Sequence, residues 1–124
     1  MSMDDLVTKH IYGGKALAKG SKPFPLEHQF LDQFLEPIDL SVGVWVGQGR
    51  AEQLHVTDQP ANIGTGTVTV DPVTAKATYV WVDADFATPG RFRLILYIGN
   101  GTLRHGSTVY EWDVSDAPGA DPTV

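Results

Sequence analysis

The chain contains no cysteine. That absence excludes disulfide staples, thiolate metal sites and a cysteine nucleophile, while leaving the redox compartment open. No apolar run approaches the roughly 20 residues of a membrane-spanning helix, so no membrane partner is expected. The opening MSMDDLVTKHIY carries early acids and lacks the apolar stretch of a signal peptide, which points to a protein made and used without general secretory export. Basic residues are scarce: 9 Lys and Arg stand against 15 Asp and Glu, for a net charge of −6. Sequence-independent binding of nucleic acid needs Lys and Arg to neutralise phosphates, so nucleic acid is not an expected partner.

Recognisable catalytic constellations are also missing. His10, His28, His55 and His105 show neither an i, i+4 pair nor any other metal-ligand spacing, so no metal and no cofactor are expected. His28 alternates with Leu26 and Phe30 and reads as a packed strand residue, and His105 beside Arg104 reads as solvated. There is no G-x-S-x-G. Gly64-Thr65-Gly66 and Gly99-Asn100-Gly101 lack the lysine or helix of a phosphate loop, and Asn100-Gly101 signals a hairpin turn instead. Asp83 and Asp85 would share one side of an extended strand, as would Glu111 and Asp113. Paired carboxylates serve glycoside hydrolysis, but residues i and i+2 of any strand lie about 7 Å apart, so this spacing is unspecific. The acids read as solubilising surface groups; a calcium ion held by Asp83, Asp85 and a loop carbonyl is the alternative. The chain is not expected to be an enzyme.

What is present is β-sheet patterning. The 124 residues are 42% hydrophobic and 10% aromatic, which is enough to build the core of one domain. Thr67–Val70, Ala77–Val82, Phe92–Ile98 and Ser107–Val114 alternate in polarity and are separated by Asp71-Pro72, Pro89-Gly90 and Gly99-Asn100-Gly101. Phe92, Leu94, Leu96 and Ile98 form the cleanest single face, opposed by Ile95 and Tyr97, which predicts a central strand. Leu26–Phe30 predicts a first strand, and Leu31–Leu35 a helical turn or a hairpin corner. Val42–Val46 predicts a strand whose Trp45 is flanked by Gly43 and Gly47, so that a neighbour can approach closely. A turn is expected at Gln48-Gly49-Arg50, a weaker strand at Ala51–Val56 and a polar loop from Asp58 to Gly66. About seven strands without a long helix predict an all-β, immunoglobulin-like antiparallel β-sandwich, with a closed barrel as the alternative.

Three parts are expected along the chain: an N-terminal arm over 1–22, the sandwich over 23–114 and a small-residue tail over 115–124. The arm holds Lys9, Lys15, Lys19 and Lys22 against Asp4 and Asp5. A basic arm on an acidic body suits docking between like subunits; a solvated terminus is the plainer reading. Trp45, Tyr79, Trp81, Tyr97, Tyr110 and Trp112 would form a sugar or protein platform on one exposed face, or else core packing. Asp85 before Thr88-Pro89-Gly90 suits a corner at which a carboxylate accepts backbone N–H bonds and Phe92 anchors the next strand.

The segments Pro37-Ile38-Asp39-Leu40-Ser41, Ala75 to Trp81 and Asp85 to Phe92 resemble the N-terminal immunoglobulin-like β-sandwich domain of the upper baseplate proteins of tailed phages, and related small virion domains. The likeness runs from Pro25 to Val114, with Phe92 where that pattern has Tyr and Lys76 where it has Gly. It implies a non-enzymatic structural protein located in the virion, without cofactor, assembled with other virion proteins and with copies of itself as a homo-oligomer in the particle. A tail or baseplate position is expected, with a head-to-tail connector or capsid decoration as alternatives. A carbohydrate-binding module is the reading from another class. Within the virion reading, Lys15 and Lys19 are expected arm contacts, and Trp45, Tyr97 and Trp112 packing or interface anchors.

Overall fold

A computed structural model describes residues 8–53, 66–119 and 122–124. Its strands are β1 (Thr8–His10), β2 (Leu17–Ala18), β3 (Leu26–Gln29), β4 (Val46–Gln53), β5 (Val68–Asp71), β6 (Lys76–Tyr79), β7 (Gly90–Gly99), β8 (Arg104–Gly106) and β9 (Val109–Ser115). One sheet has the order β1-β9-β7-β4, with β2 also on β9 and β8 also on β7; the other has the order β3-β6-β5. β1 and β2 pair with successive parts of β9, and β9 and β8 pair with successive parts of β7. About seven strands were expected; the described residues hold nine, in two sheets that form a β-sandwich. The sandwich is therefore as expected, although β1 and β2 run parallel to β9 where an antiparallel fold was predicted.

β7 shows how the sequence dictates the packing. Phe92, Leu94, Leu96 and Ile98 are all buried, while Arg91 and Arg93 point outward and Ile95 and Tyr97 are half-buried. Each buried apolar side chain of this size stabilises the fold by about 1.5–3 kcal/mol. Ala77 and Tyr79 from β6, and Trp112 and Val114 from β9, complete the core with Phe30, Leu40, Trp81 and Phe86 from the connections.

The structure corrects two strand boundaries. β4 runs straight through Gln48-Gly49-Arg50, where a turn was expected, and pairs with β7 over its whole length. The glycines there serve close packing: a Cβ on Gly47 would lie 2.3 Å from Val68 Cγ1, and one on Gly49 2.9 Å from Tyr79 Cε2. Residues 42–45 are left outside the ladder, and β6 ends at Tyr79 although alternation continues to Val82. The predicted polar loop and the end of the Ala51–Val56 strand fall on residues 54–65, outside the described residues.

The stretch read as an arm runs, from residue 8 onward, along β9 of its own chain. The Ile11 N–H donates to Glu111 O at 3.0 Å and the Lys19 N–H to Ser115 O at 2.8 Å. Ile11, Tyr12 and Leu17 pack half-buried against the core. Ordering here comes from the open edge of β9, which supplies the hydrogen bonds that a short isolated segment lacks.

Candidate interaction surface at one end of the sandwich

The acids singled out in the sequence do not converge. Asp83–Phe86 is a 3-10 turn, not a strand, and it sends its two carboxylates apart. Asp83 is exposed and lies 3.2 Å from Lys22 Nζ. Asp85 is wholly buried, contrary to its reading as a solubilising surface acid. Its Oδ2 accepts the Tyr79 hydroxyl at 2.9 Å and the Val82 N–H at 2.9 Å, and its backbone carbonyl accepts Trp112 Nε1–H at 3.3 Å. Burial pushes the Asp85 carboxyl above its ordinary range against the pull of those hydrogen bonds. Burial and the nearby Asp85 charge raise the Tyr12 phenol to about 12. Glu111 faces His10 at 3.2 Å and Asp113 faces Arg91 at 3.0 Å. Among the described residues, no three His, Asp or Glu gather as metal ligands. The Asp85 carboxylate thus acts as a clamp for the corner, fixing Tyr79 and the start of the turn.

The aromatic residues also divide. Tyr79, Trp81, Tyr110 and Trp112 are buried, so the six do not share an exposed platform. Trp112, expected as a packing or interface anchor, is 2% exposed and packs in the core. It lies 4.9 Å from Trp81 and 5.6 Å from Phe92 between ring centres. Trp45 is half-buried; it stacks on the exposed His105 at 5.8 Å and donates its indole N–H to Val42 O at 3.0 Å. Tyr97 is half-buried on the outer face of β7, Lys15 is exposed and Lys19 is partly covered. His28 is packed as expected, sharing a 2.5 Å hydrogen bond with the Tyr110 hydroxyl; burial, then Lys9, lowers its pKa. His55 lies outside the described residues.

The distinctive exposed feature is the end of the sandwich formed by the β3–β4 connection, residues 30–45, and the β5–β6 turn. Leu31 and Pro37 form an isolated antiparallel bridge that closes a small hairpin, so the corner expected at Leu31–Leu35 is a hairpin corner. Asp32 holds it: its Oδ1 accepts the Phe34 N–H at 2.8 Å and the Glu36 N–H at 3.1 Å. Leu35 takes a left-handed backbone, φ 62°, a conformation that costs a non-glycine residue roughly 1–2 kcal/mol. The Ser41 hydroxyl and then its N–H hold the Asp39 carboxyl below its ordinary range, and the Val73 N–H does the same for Asp71. Asn100 Nδ2 reaches Val42 O at 3.4 Å and ties the loop to the β7–β8 turn.

On this framework large apolar side chains face solvent: Phe34 is 74% exposed, Leu35 78%, Val42 77% and Val44 82%. Val73 in the neighbouring turn is equally bare. Between the loop and that turn lies an open depression of about 630 Å³, lined by Pro37, Ile38, Leu40, Gly43, Pro72 and Val73. Hydrogen bonds within the loop fix its shape, and the shape puts apolar groups in water. The sequence reading missed Phe34 and Leu35, although the signal was there in two apolar residues between a turn-forming Asp32 and a helix-ending Pro37.

The chain matches no protein-family model and no curated protein sequence.

Proposed function

We propose that this protein is a non-enzymatic structural part of a tailed-phage virion, placed among other virion proteins in the tail or baseplate. The observation that carries the assembly reading is the apolar end: four exposed large side chains on a loop whose own bonds fix its conformation. Contiguous exposed apolar surface on a soluble domain marks a place where another surface sits, and a preorganised loop loses little entropy on docking. The virion context comes from the resemblance of Pro37–Ser41, Ala75–Trp81 and Asp85–Phe92, and Ala75–Trp81 supplies β6 and part of the core here. Pro37–Ser41 forms part of the apolar end, and Asp85–Phe92 forms the clamped corner.

In this reading the sandwich is a rigid block and the exposed end its attachment. Residues 8–19, bonded to β9 of their own chain, stiffen the block, and Lys15 remains free to meet a neighbour. The test is protein mass spectrometry of purified particles made by the phage that encodes the chain. The chain should be a stoichiometric component; its presence in the infected-cell lysate but absence from the particles would overturn the reading.

A further inference from the structure

We propose that the outer face of the β4-β7-β9 sheet is a seat for the apolar, acidic end of a second copy of this chain. The proposal rests on the assembly reading above and names a contact within it.

The chain has four arginines, Arg50, Arg91, Arg93 and Arg104. Strand alternation sends Arg50, Arg91 and Arg93 to the side of the sheet away from the core, and Arg104 lines a depression on that side with Arg50. The same face carries Glu52, Glu111 and Asp113, so its unbalanced positive charge lies at Arg50 and Arg104. Arg91 is bound to Asp113 and Arg93 to Glu52. The guanidiniums of Arg50 and Arg104 have neither a hydrogen-bond nor an ion-pair partner among the described residues. They flank two adjoining depressions, of about 380 and 370 Å³, which share Arg50 and Tyr97 in their walls. Ile95, Tyr97 and Val109 line the first beside Arg50, Arg93 and Glu52. A Cβ on Gly106 would lie 3.0 Å from Tyr97 Cε1, so bare backbone there lets the ring pack onto β8.

The occupant follows from charge and shape. The surface would accept apolar side chains carried with carboxylates, and the end of this chain offers that combination. It presents Phe34 and Leu35 beside Asp32, Glu36 and Asp39, with Asp71 in the adjacent turn, and residues 31–46 include no Lys or Arg. Phe34 or Leu35 seated over Tyr97 and Val109 would bring Glu36 and Asp39 toward Arg50 and Arg104, whose planar guanidiniums suit carboxylates. Two different surfaces meet in such a contact, so copies add head to side and form a ring or an open array, unless a two-fold axis makes the exchange reciprocal.

The experiment is light scattering on the full chain across a concentration series, at low and high salt, with charge-swapped variants. One variant is Arg50→Glu with Arg104→Glu. The other is Glu36→Lys, which leaves the turn-holding Asp32, Asp39 and Asp71 in place. The parent should exceed the monomer mass and fall toward it as salt shortens the reach of the charges. Each variant alone should associate on the order of tenfold more weakly, and an equimolar mixture of the two should recover association. Phe34→Ser, which alters no charge, should weaken association with an unchanged melting temperature. A parent that stays monomeric throughout, variants that associate like the parent, or a mixture no heavier than its components would overturn the contact. A non-associating chain that is still found in purified particles would remove this contact alone; absence from the particles would remove the assembly reading as well.

Discussion

The two ends of β6 treat apolar side chains in opposite ways. Beyond Tyr79, at the corner leading to β7, Trp81, Phe86, Phe92 and Trp112 pack ring against ring. The polar group among them, Asp85, is engaged by Tyr79 and Val82. Before Lys76, the β5–β6 turn sits beside a loop that leaves Phe34, Leu35, Val42 and Val44 in solvent. Both ends use carboxylates to fix backbone, Asp85 at one and Asp32, Asp39 and Asp71 at the other. At the corner the fixed backbone closes a core; at the far end it displays a surface. The same device therefore serves stability in one place and, in the proposed assembly, recognition in the other, and substitutions should separate the two.

The largest effect is expected at the corner. Trp112→Ala should cost about 3–5 kcal/mol of unfolding free energy in urea; a loss below about 1 kcal/mol would mean that the ring stack does not anchor the fold. Tyr79→Phe keeps the ring but removes the donor to Asp85 Oδ2 and the acceptor of the Gly66 N–H. It should cost about 1–3 kcal/mol in the same measurement.

The Asp85 clamp should also leave a mark on pH dependence. Burial raises the Asp85 pKa in the folded state, so the protonated form is favoured on folding. That contribution is complete below the ordinary carboxylate range and is lost as pH rises through the raised value. Asp85→Asn cannot ionise. Its stability relative to the parent should therefore increase with pH from the ordinary carboxylate range upward, as read by urea unfolding at a series of pH values. A constant difference would sink the claim that this carboxyl titrates in a desolvated site.

At the displayed end the sign reverses. Leu35→Gly relieves a left-handed backbone and should raise stability by about 0.5–1 kcal/mol, while removing an apolar group from the surface. A destabilised glycine variant would show that Leu35 packs in the isolated molecule, and the contrast between the two ends would fail.

How far these features could be read from the sequence depends on whether a local pattern decides them. β7 was legible because its alternation is uninterrupted and both flanks carry Pro or Gly. The corner was legible in part: Phe92 as core anchor and Asp85 as a backbone acceptor follow from residue types and spacing. Its burial did not follow, because i and i+2 share a side only in an extended chain, and the 3-10 turn has about 3.0 residues per turn. β4 was misplaced because Gly49, between Gln48 and Arg50, looks like a turn former until Tyr79 is known to press on it, whereas the close approach expected at Gly47 is made by Val68. β1 and β2 have three and two residues, too few for periodicity, and exist only because β9 offers them an edge. The arginine face was latent in the outward positions of β7, yet Arg50 and Arg104 join it only once the register is known.

The central claim is that the displayed end exists for contact and not for folding. Incorporation into particles of a chain carrying Phe34→Ser and Val44→Ser tests it most directly. Both side chains are exposed, so stability should change by no more than about 0.5 kcal/mol. The account predicts a folded protein that accumulates in the cell and is depleted from purified particles. Incorporation equal to that of the parent would contradict it.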